Sequence, residues 1–149
     1  MRLAHEIEIR RPPDEVFACL ATPERIPEWN PAIVETRRLT PGPVRVGTRI
    51  RQERSSPTTS FEELEVTELD PGRSLVLVGE LGPLHGTIAY RLHPTPGGTR
   101  LESIADVEAS GLARLLAPLA AGRVRSAVAE NLAALKRIVE QAAPPTTGS

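Results

Sequence analysis

One long stretch near the carboxyl end, residues 110–141, constrains the fold more than any other part of the sequence. Leucine, isoleucine and valine recur there at helical spacing, and most of the charged residues fall between them. The pattern predicts an amphipathic helix with Ser110 as its N-cap. Pro118 and Gly122 both disfavour helix, so we expect a kink or a break between them. Because the apolar side of this helix cannot stand in water, another layer must cover it.

The preceding residues predict a sheet that can cover the helix. Residues 3–9 alternate apolar and polar side chains, which predicts a half-buried first strand. Prolines and acidic residues then predict two short helices, within 12–20 and 22–29. Further strands are predicted within 33–39, 48–54, 61–69, 75–81, 84–92 and 101–107. Because strands and helices are grouped rather than interleaved, the order favours an α+β fold with an antiparallel sheet.

Composition excludes several functional classes. The 149 residues carry a formal net charge of −1, and only 3% are aromatic, which argues against nucleic-acid binding. The amino-terminal residues do not resemble a signal peptide, and no apolar run is long enough for a membrane span. We therefore expect a cytoplasmic protein without stable membrane insertion. The length suits a single domain over residues 1–141, with a disordered tail at 142–149.

The few residues that could carry metal or thiol chemistry are poorly placed for it. Cys19 is the only cysteine, which excludes an intrachain disulfide, and its apolar neighbours indicate a buried position. His5, His85 and His93 have no partners at metal-ligand spacing, and we expect His5 and His93 to be solvated. No metal or other cofactor is expected. The richness in Ala, Arg, Pro and Gly is typical of a GC-rich bacterial genome.

Several segments of the sequence together resemble a known family. After the alternating strand they are Arg11-Pro12-Pro13-Asp14-Glu15-Val16-Phe17, Thr22-Pro23-Glu24-Arg25-Ile26-Pro27-Glu28-Trp29-Asn30-Pro31 and Val46-Gly47-Thr48-Arg49. This arrangement resembles the SRPBCC superfamily (START-like, Bet v 1-like), in its polyketide cyclase/dehydrase and lipid-transport branch. The element order matches over residues 1–141.

The resemblance implies a helix-grip fold, in which a curved antiparallel sheet wraps around a long C-terminal helix. An apolar cavity typically lies between the sheet and the helix in this superfamily. Its members bind lipids, sterols, polyketides and other hydrophobic molecules. Some of them are cyclases, some are carriers and some bind proteins.

The sequence contains no nucleophile elbow, phosphate loop or dinucleotide fingerprint, so the candidate residues are those that could line such a cavity. Gln52, Tyr90 and Ser103 each share a strand face with apolar neighbours, which suits polar anchors for a ligand. Structural hydrogen bonds within a filled core are an equal alternative. The complete predicted ligand-binding set is Trp29, Ile50, Gln52, Ile88, Tyr90, Leu101, Ser103, Leu112, Leu115, Leu116 and Leu119. Trp29 suits packing first and the cavity mouth second.

The first half of the long helix is the predicted gate of the cavity, and residues 124–139 are predicted to pack on the sheet. Four glutamates crowd the strand predicted at 61–69, namely Glu62, Glu63, Glu65 and Glu68. A solvated sheet face is favoured for them over a catalytic carboxylate pair. Leu64 and Val66 share one parity with Glu62 and Glu68, whereas Phe61 and Leu69 share the other with Glu63 and Glu65. The alternation leaves open which of these faces the cavity.

The leading functional hypothesis is therefore a module that binds a hydrophobic, lipid- or polyketide-like molecule between sheet and helix. The scarcity of aromatic residues favours an aliphatic ligand over a flat one. The first alternative is a cyclase or dehydrase that uses Tyr90 or a strand glutamate as acid or base. The second alternative is a protein-interaction module without a ligand. A monomer is favoured, although the sequence does not determine the oligomeric state.

Overall fold

The computed structural model describes residues 1–56, 58–109, 111 and 113–142, with the backbone alone at 113 and 116–120. Seven strands form one sheet in the order β1-β7-β6-β5-β4-β3-β2, and all neighbouring strands are antiparallel. The elements are β1 Arg2–Ile9, α1 Pro13–Leu20, a 3-10 turn Pro23–Arg25, α2 Ile26–Trp29, β2 Ile33–Arg38, β3 Arg49–Arg54, β4 Ser60–Asp70, β5 Ser74–Leu81, β6 Leu84–Thr95, β7 Gly98–Ala109 and α3 Ala113–Gln141. The predicted α+β helix-grip architecture is confirmed.

The long helix α3 is continuous from Ala113 to Gln141, so a break near Pro118 is wrong, whereas the alternative, a kink between Pro118 and Gly122, stays a prediction. A proline in a helix removes one backbone hydrogen bond, at a cost of about 3 kcal/mol, and packing of the later turns outweighs this loss. The predicted N-cap Ser110 lies outside the described residues, as does the predicted tail at 142–149 apart from Ala142. None of the described helices is long and apolar enough to span a membrane.

The second half of α3 supplies its share of the core, as predicted. Leu132, Leu135 and Val139 are buried in one cluster with side chains from the sheet and from both short helices. The end of α3 is hydrogen-bonded to the turn after β1, because Arg11 Nη2 donates to the Glu140 and Ala142 carbonyls, each at 2.9 Å. Cys19 is buried in the same cluster, as its apolar neighbours predict, and burial raises the pKa of its thiol.

Two features of the strands differ from what the sequence predicts. The β6–β7 ladder continues to the Thr95–Gly98 pair, beyond the strands predicted within 84–92 and 101–107. The β5 ladder ends opposite Arg91, so Pro94 lies where one side of β6 has no strand partner, and proline is tolerated at such a position. In β4 a register shift between Val66 and Glu68 changes the parity. Leu69 therefore packs against the core and is on the same face as Leu64 and Val66.

Candidate functional site

The sheet face that packs against α3, here called the inner face, is largely apolar but carries several buried polar groups. Most of the predicted ligand-binding residues lie on it. Ile50, Gln52, Tyr90, Leu101 and Ser103 are buried there. Ile88 is half-buried on the same face and packs against the core. The alternation of each strand is the reason that these residues share one face.

The remaining predicted residues come from the helices. Trp29 in α2 is buried in the same cluster as Tyr90. Leu115 in α3 is 77% exposed, so it does not contribute to the core. Leu112 lies outside the described residues, as do the side chains of Leu116 and Leu119. The predicted gate therefore stays a prediction.

Trp29 of α2 and Tyr90 on the inner face form an edge-to-face pair, with ring centroids 6.3 Å apart and planes at 88°. The Trp29 indole Nε1 is buried, and no described residue accepts a hydrogen bond from it. Burial raises the pKa of the Tyr90 phenol well above its ordinary value. The phenol is thus neutral at physiological pH. It can donate or accept a hydrogen bond but is unsuited to act as a general base.

Ser103 lies between Tyr90 and His5 in the strand register, because it pairs with Tyr90 of β6 and with His5 of β1. His5 is half-buried rather than solvated, since it shares the side of β1 that carries the buried Leu3 and Ile9. His93, also predicted to be solvated, is partly exposed, and its Nε2 lies 3.0 Å from Glu102 Oε1 on the other face of the sheet.

Glu62 corrects the prediction that all four β4 glutamates are solvated. It is 1% exposed, because it shares the inward parity of Leu64 and Val66. Its carboxylate Oε1 accepts from Gln52 Nε2 at 2.8 Å and from Arg54 Nη2 at 3.1 Å. Its Oε2 accepts from Arg54 Nε at 2.7 Å and from the Gly82 backbone N–H. Glu62 and Arg54 therefore form a buried, bidentate ion pair.

The other three glutamates follow the prediction and are exposed, and two of them make surface ion pairs. Glu63 lies 2.7 Å from Arg49, and Glu68 lies 3.1 Å from Arg91. Sequence reasoning missed Arg54, although Arg54 shares the parity of Ile50 and Gln52 within β3. That shared parity is the one sequence signal that could have placed Arg54 on the inner face.

A pair of glycines lies on the inner face beside this ion pair. Gly79 of β5 and Gly86 of β6 are cross-strand partners, and Leu64 is opposite Gly79. A Cβ at Gly79 would clash with the Glu63 carbonyl oxygen, and one at Gly86 would clash with that of Asp106. Both positions therefore require glycine, and the inner face has no side chains there.

Two surface depressions lie away from the interior between sheet and α3. One of about 260 Å³ is on the outer side of β2–β4, where Arg37, Arg51 and the exposed Phe61 line it. The other, of about 690 Å³, lies beside the start of α1 and is lined in part by Asp14, Asp70 and Arg73. Both are open to solvent and have charged side chains in their walls, so neither offers an apolar enclosure. The described residues contain no cluster of three or more side chains suited to bind a metal ion.

The curved antiparallel sheet, the short helices after β1 and the long helix against the inner face define a helix-grip protein of the Bet v 1-like class. Residues 1–140 match the model of the family described as polyketide cyclase / dehydrase and lipid transport. The chain belongs to this family. A comparison with curated proteins finds no match.

Solved structures share the fold at low sequence identity. Protein MLL2253 from Mesorhizobium loti is 20% identical with a TM-score of 0.73, and the match covers 97% of this chain and all (100%) of that one. Ara h 8.0201 is 16% identical with a TM-score of 0.73, over 93% of this chain and 97% of that one. The di-domain ARO/CYC StfQ from the steffimycin biosynthetic pathway is 16% identical with a TM-score of 0.77, over 94% of this chain and 50% of that one.

Proposed function

We propose that this protein binds a hydrophobic small molecule, lipid-like or polyketide-like, between the inner face of the sheet and α3. The family description supports hydrophobic ligand binding or cyclase chemistry in general. The choice of ligand binding rests on one observation, which is that inward-facing apolar residues keep solvent access where the two core clusters of the interior meet.

Two buried clusters fill the two ends of the interior, and a half-buried region lies where they meet. Around the second half of α3, Leu132 and Leu135 are almost completely buried against the sheet. Near or between the clusters, four inward-facing apolar residues are half-buried, although Leu84 and Val107 beside them are buried; the four are Leu81, Ile88, Val124 and Val128. Leu81 and Ile88 pack against two separate core clusters and so lie where the clusters meet. Apolar side chains that face inward and keep solvent access are typical of an open ligand site.

Polar groups beside this region supply orientation for a ligand. Tyr90 and Ser103 are neighbours across β6 and β7, and Trp29, whose N–H has no acceptor among the described residues, packs in the same core cluster as Tyr90. We assign Tyr90, Ser103 and Gln52 as anchors. The leucines at 112, 115, 116 and 119 would close the entrance.

A filling substitution tests this proposal. Ile88→Phe adds volume to the region where we place the ligand. If that region is open, the variant should retain its stability and bind an apolar fluorescent probe such as Nile red at least about tenfold more weakly, as expected when a bulky group occupies a site. Ala89→Phe, one residue along and on the outer face, is the matched control and should leave binding unchanged.

The same variant can also contradict the proposal. If the interior is already close-packed, Ile88→Phe overpacks it and lowers the free energy of unfolding by about 1–3 kcal/mol. That result, together with no probe binding by the unaltered protein, would contradict ligand binding.

Cyclase or dehydrase chemistry is the second candidate, and the buried charges of Glu62 and Arg54 favour it over a purely passive container. Tyr90 is the weaker candidate base because its phenol is neutral. Conversion of a supplied polyketide-like substrate, lost in the Glu62→Gln variant and retained in Glu63→Gln, would support this candidate.

A further inference from the structure

The Glu62–Arg54 pair lies beside the half-buried region of the interior. Gln52 and Glu62 are cross-strand partners on the inner face, one step along from the Ile50–Leu64 pair. Leu64 in turn opposes Gly79 of the glycine pair. Gly82, which donates to Glu62, begins the turn after Leu81. The charged pair therefore borders the side-chain-free patch of the sheet where the proposed ligand lies.

The two partners differ in what they can offer a ligand. Four donors already occupy the Glu62 carboxylate, so Glu62 has little capacity left to accept another hydrogen bond. Arg54 uses Nε and Nη2 for Glu62, and its Nη1 group donates to no described residue. The Arg54 side chain retains 14% exposure, whereas Glu62 retains 1%.

A further polar atom on the same face also has no partner among the described residues. Thr36 of β2 pairs with Gln52 in the register, which extends the polar row to Thr36, Gln52 and Glu62. Thr36 is 6% exposed, and no described residue hydrogen-bonds its Oγ1. Buried polar atoms are normally satisfied, so an unsatisfied hydroxyl in this row is an independent indication that the row accommodates a polar ligand group.

The charge of the pair determines which ligand group it can accept. Glu62 neutralises the Arg54 guanidinium, so the pair has no net positive charge. A carboxylate ligand would lose its hydration here, and no uncompensated cation would be available to offset that loss. Binding of a carboxylate in this buried site would therefore be costly. A neutral carbonyl oxygen accepts a hydrogen bond from Nη1 without that cost.

We propose, on the basis of the ligand-binding function above, that Arg54 Nη1 donates to a neutral carbonyl oxygen of the bound molecule. Glu62 positions the guanidinium and removes its attraction for anions. The ligand class is then an uncharged amphiphile with a ketone or ester group, in preference to a free fatty acid.

Affinity ratios measured on the full-length protein test this proposal. Octane, methyl octanoate and octanoate are compared by displacement of Nile red from delipidated protein. We expect methyl octanoate to bind more tightly than octanoate. In the double variant Arg54→Leu/Glu62→Gln, which removes both charges together, the ester-to-octane affinity ratio should fall about tenfold, the value of one charge-assisted hydrogen bond. Arg51→Leu, on the outer face of the same strand, should leave the ratio unchanged.

The outcomes separate this proposal from the function on which it rests. An unchanged ratio in the double variant, or tighter binding of octanoate than of the ester, overturns the role of Arg54 while ligand binding stands. Failure of all three compounds to displace the probe overturns both. A second measurement needs no variant: the infrared carbonyl stretch of bound methyl octanoate should lie at lower frequency than in hexane. An unshifted stretch contradicts the hydrogen bond.

Discussion

Two arginine–glutamate pairs in β3 and β4 have the same contact distance but opposite surroundings, which makes them a natural comparison. Arg54–Glu62 and Arg49–Glu63 both have a closest N–O distance of 2.7 Å. The side chains of the first pair are 14% and 1% exposed, and those of the second are 59% and 52% exposed. We predict that Arg54→Leu destabilises the protein far more than Arg49→Leu does.

The magnitudes follow from what each substitution leaves behind. Arg54→Leu leaves the Glu62 carboxylate buried with only Gln52 and the Gly82 N–H as donors. Removing one partner of a buried ion pair costs about 3–5 kcal/mol, because the remaining charge is uncompensated. Arg49→Leu leaves Glu63 in water, and an exposed pair contributes about 1 kcal/mol or less.

Urea denaturation of the two single variants and of the Arg54→Leu/Glu62→Gln double variant measures these differences. The double variant should recover most of the loss, since no lone charge remains. Equal and small costs for Arg54→Leu and Arg49→Leu would refute the reasoning, because they would mean that the Glu62 carboxylate is hydrated.

Further expectations follow from individual buried groups. Tyr90 is the only tyrosine, so the ultraviolet absorbance of phenolate reports the titration of Tyr90 alone. Because burial raises the pKa of Tyr90, the phenol should titrate at higher pH in the native protein than in urea. By linkage, the stability that this neutral phenol contributes is complete below its ordinary pKa of 10.0 and declines as the pH rises above that value. Unfolding curves measured at alkaline pH should show this decline. Superimposable titrations of the native and the denatured protein would contradict the raised pKa. Gly86→Ala should lower the free energy of unfolding by about 1–3 kcal/mol because its Cβ meets the Asp106 carbonyl, whereas Gly97→Ala, with open space around it, should be nearly neutral. Equal thermal stability of these two variants would be inconsistent with the close strand approach at Gly86.

Local periodicity predicted the elements well because the apolar residues on the buried side of each strand or helix recur at the spacing of that element. Alternation in β3 and β7 placed Ile50, Gln52 and Ser103 on apolar faces, and in the structure all three are buried. The continuity of α3 was not predictable from Pro118 and Gly122 alone. Tertiary packing of later turns, which no local propensity describes, outweighs both residues.

The face of β4 could not be decided in advance for a similar reason. Alternation gives two sets of residues but does not say which set meets the helix, and the register shift near Glu68 exchanges the sets within the strand. Pairing across strands then joins Gln52, Arg54 and Glu62, which are separated in sequence by a turn. Such contacts depend on long-range register, so a buried charge pair is hard to distinguish from a solvated one.

The central claim is that a hydrophobic molecule lies between the inner face and α3, and intermolecular nuclear Overhauser effects test it most directly. With methyl octanoate added to methyl-labelled protein, we predict contacts from the octanoyl chain to the methyl groups of Ile88, Leu81 and Val124. Val78, which is exposed on the outer side of β5, should show none. Contacts confined to Val78 and other outer-face methyl groups, or no contacts at ligand saturation, would contradict the account.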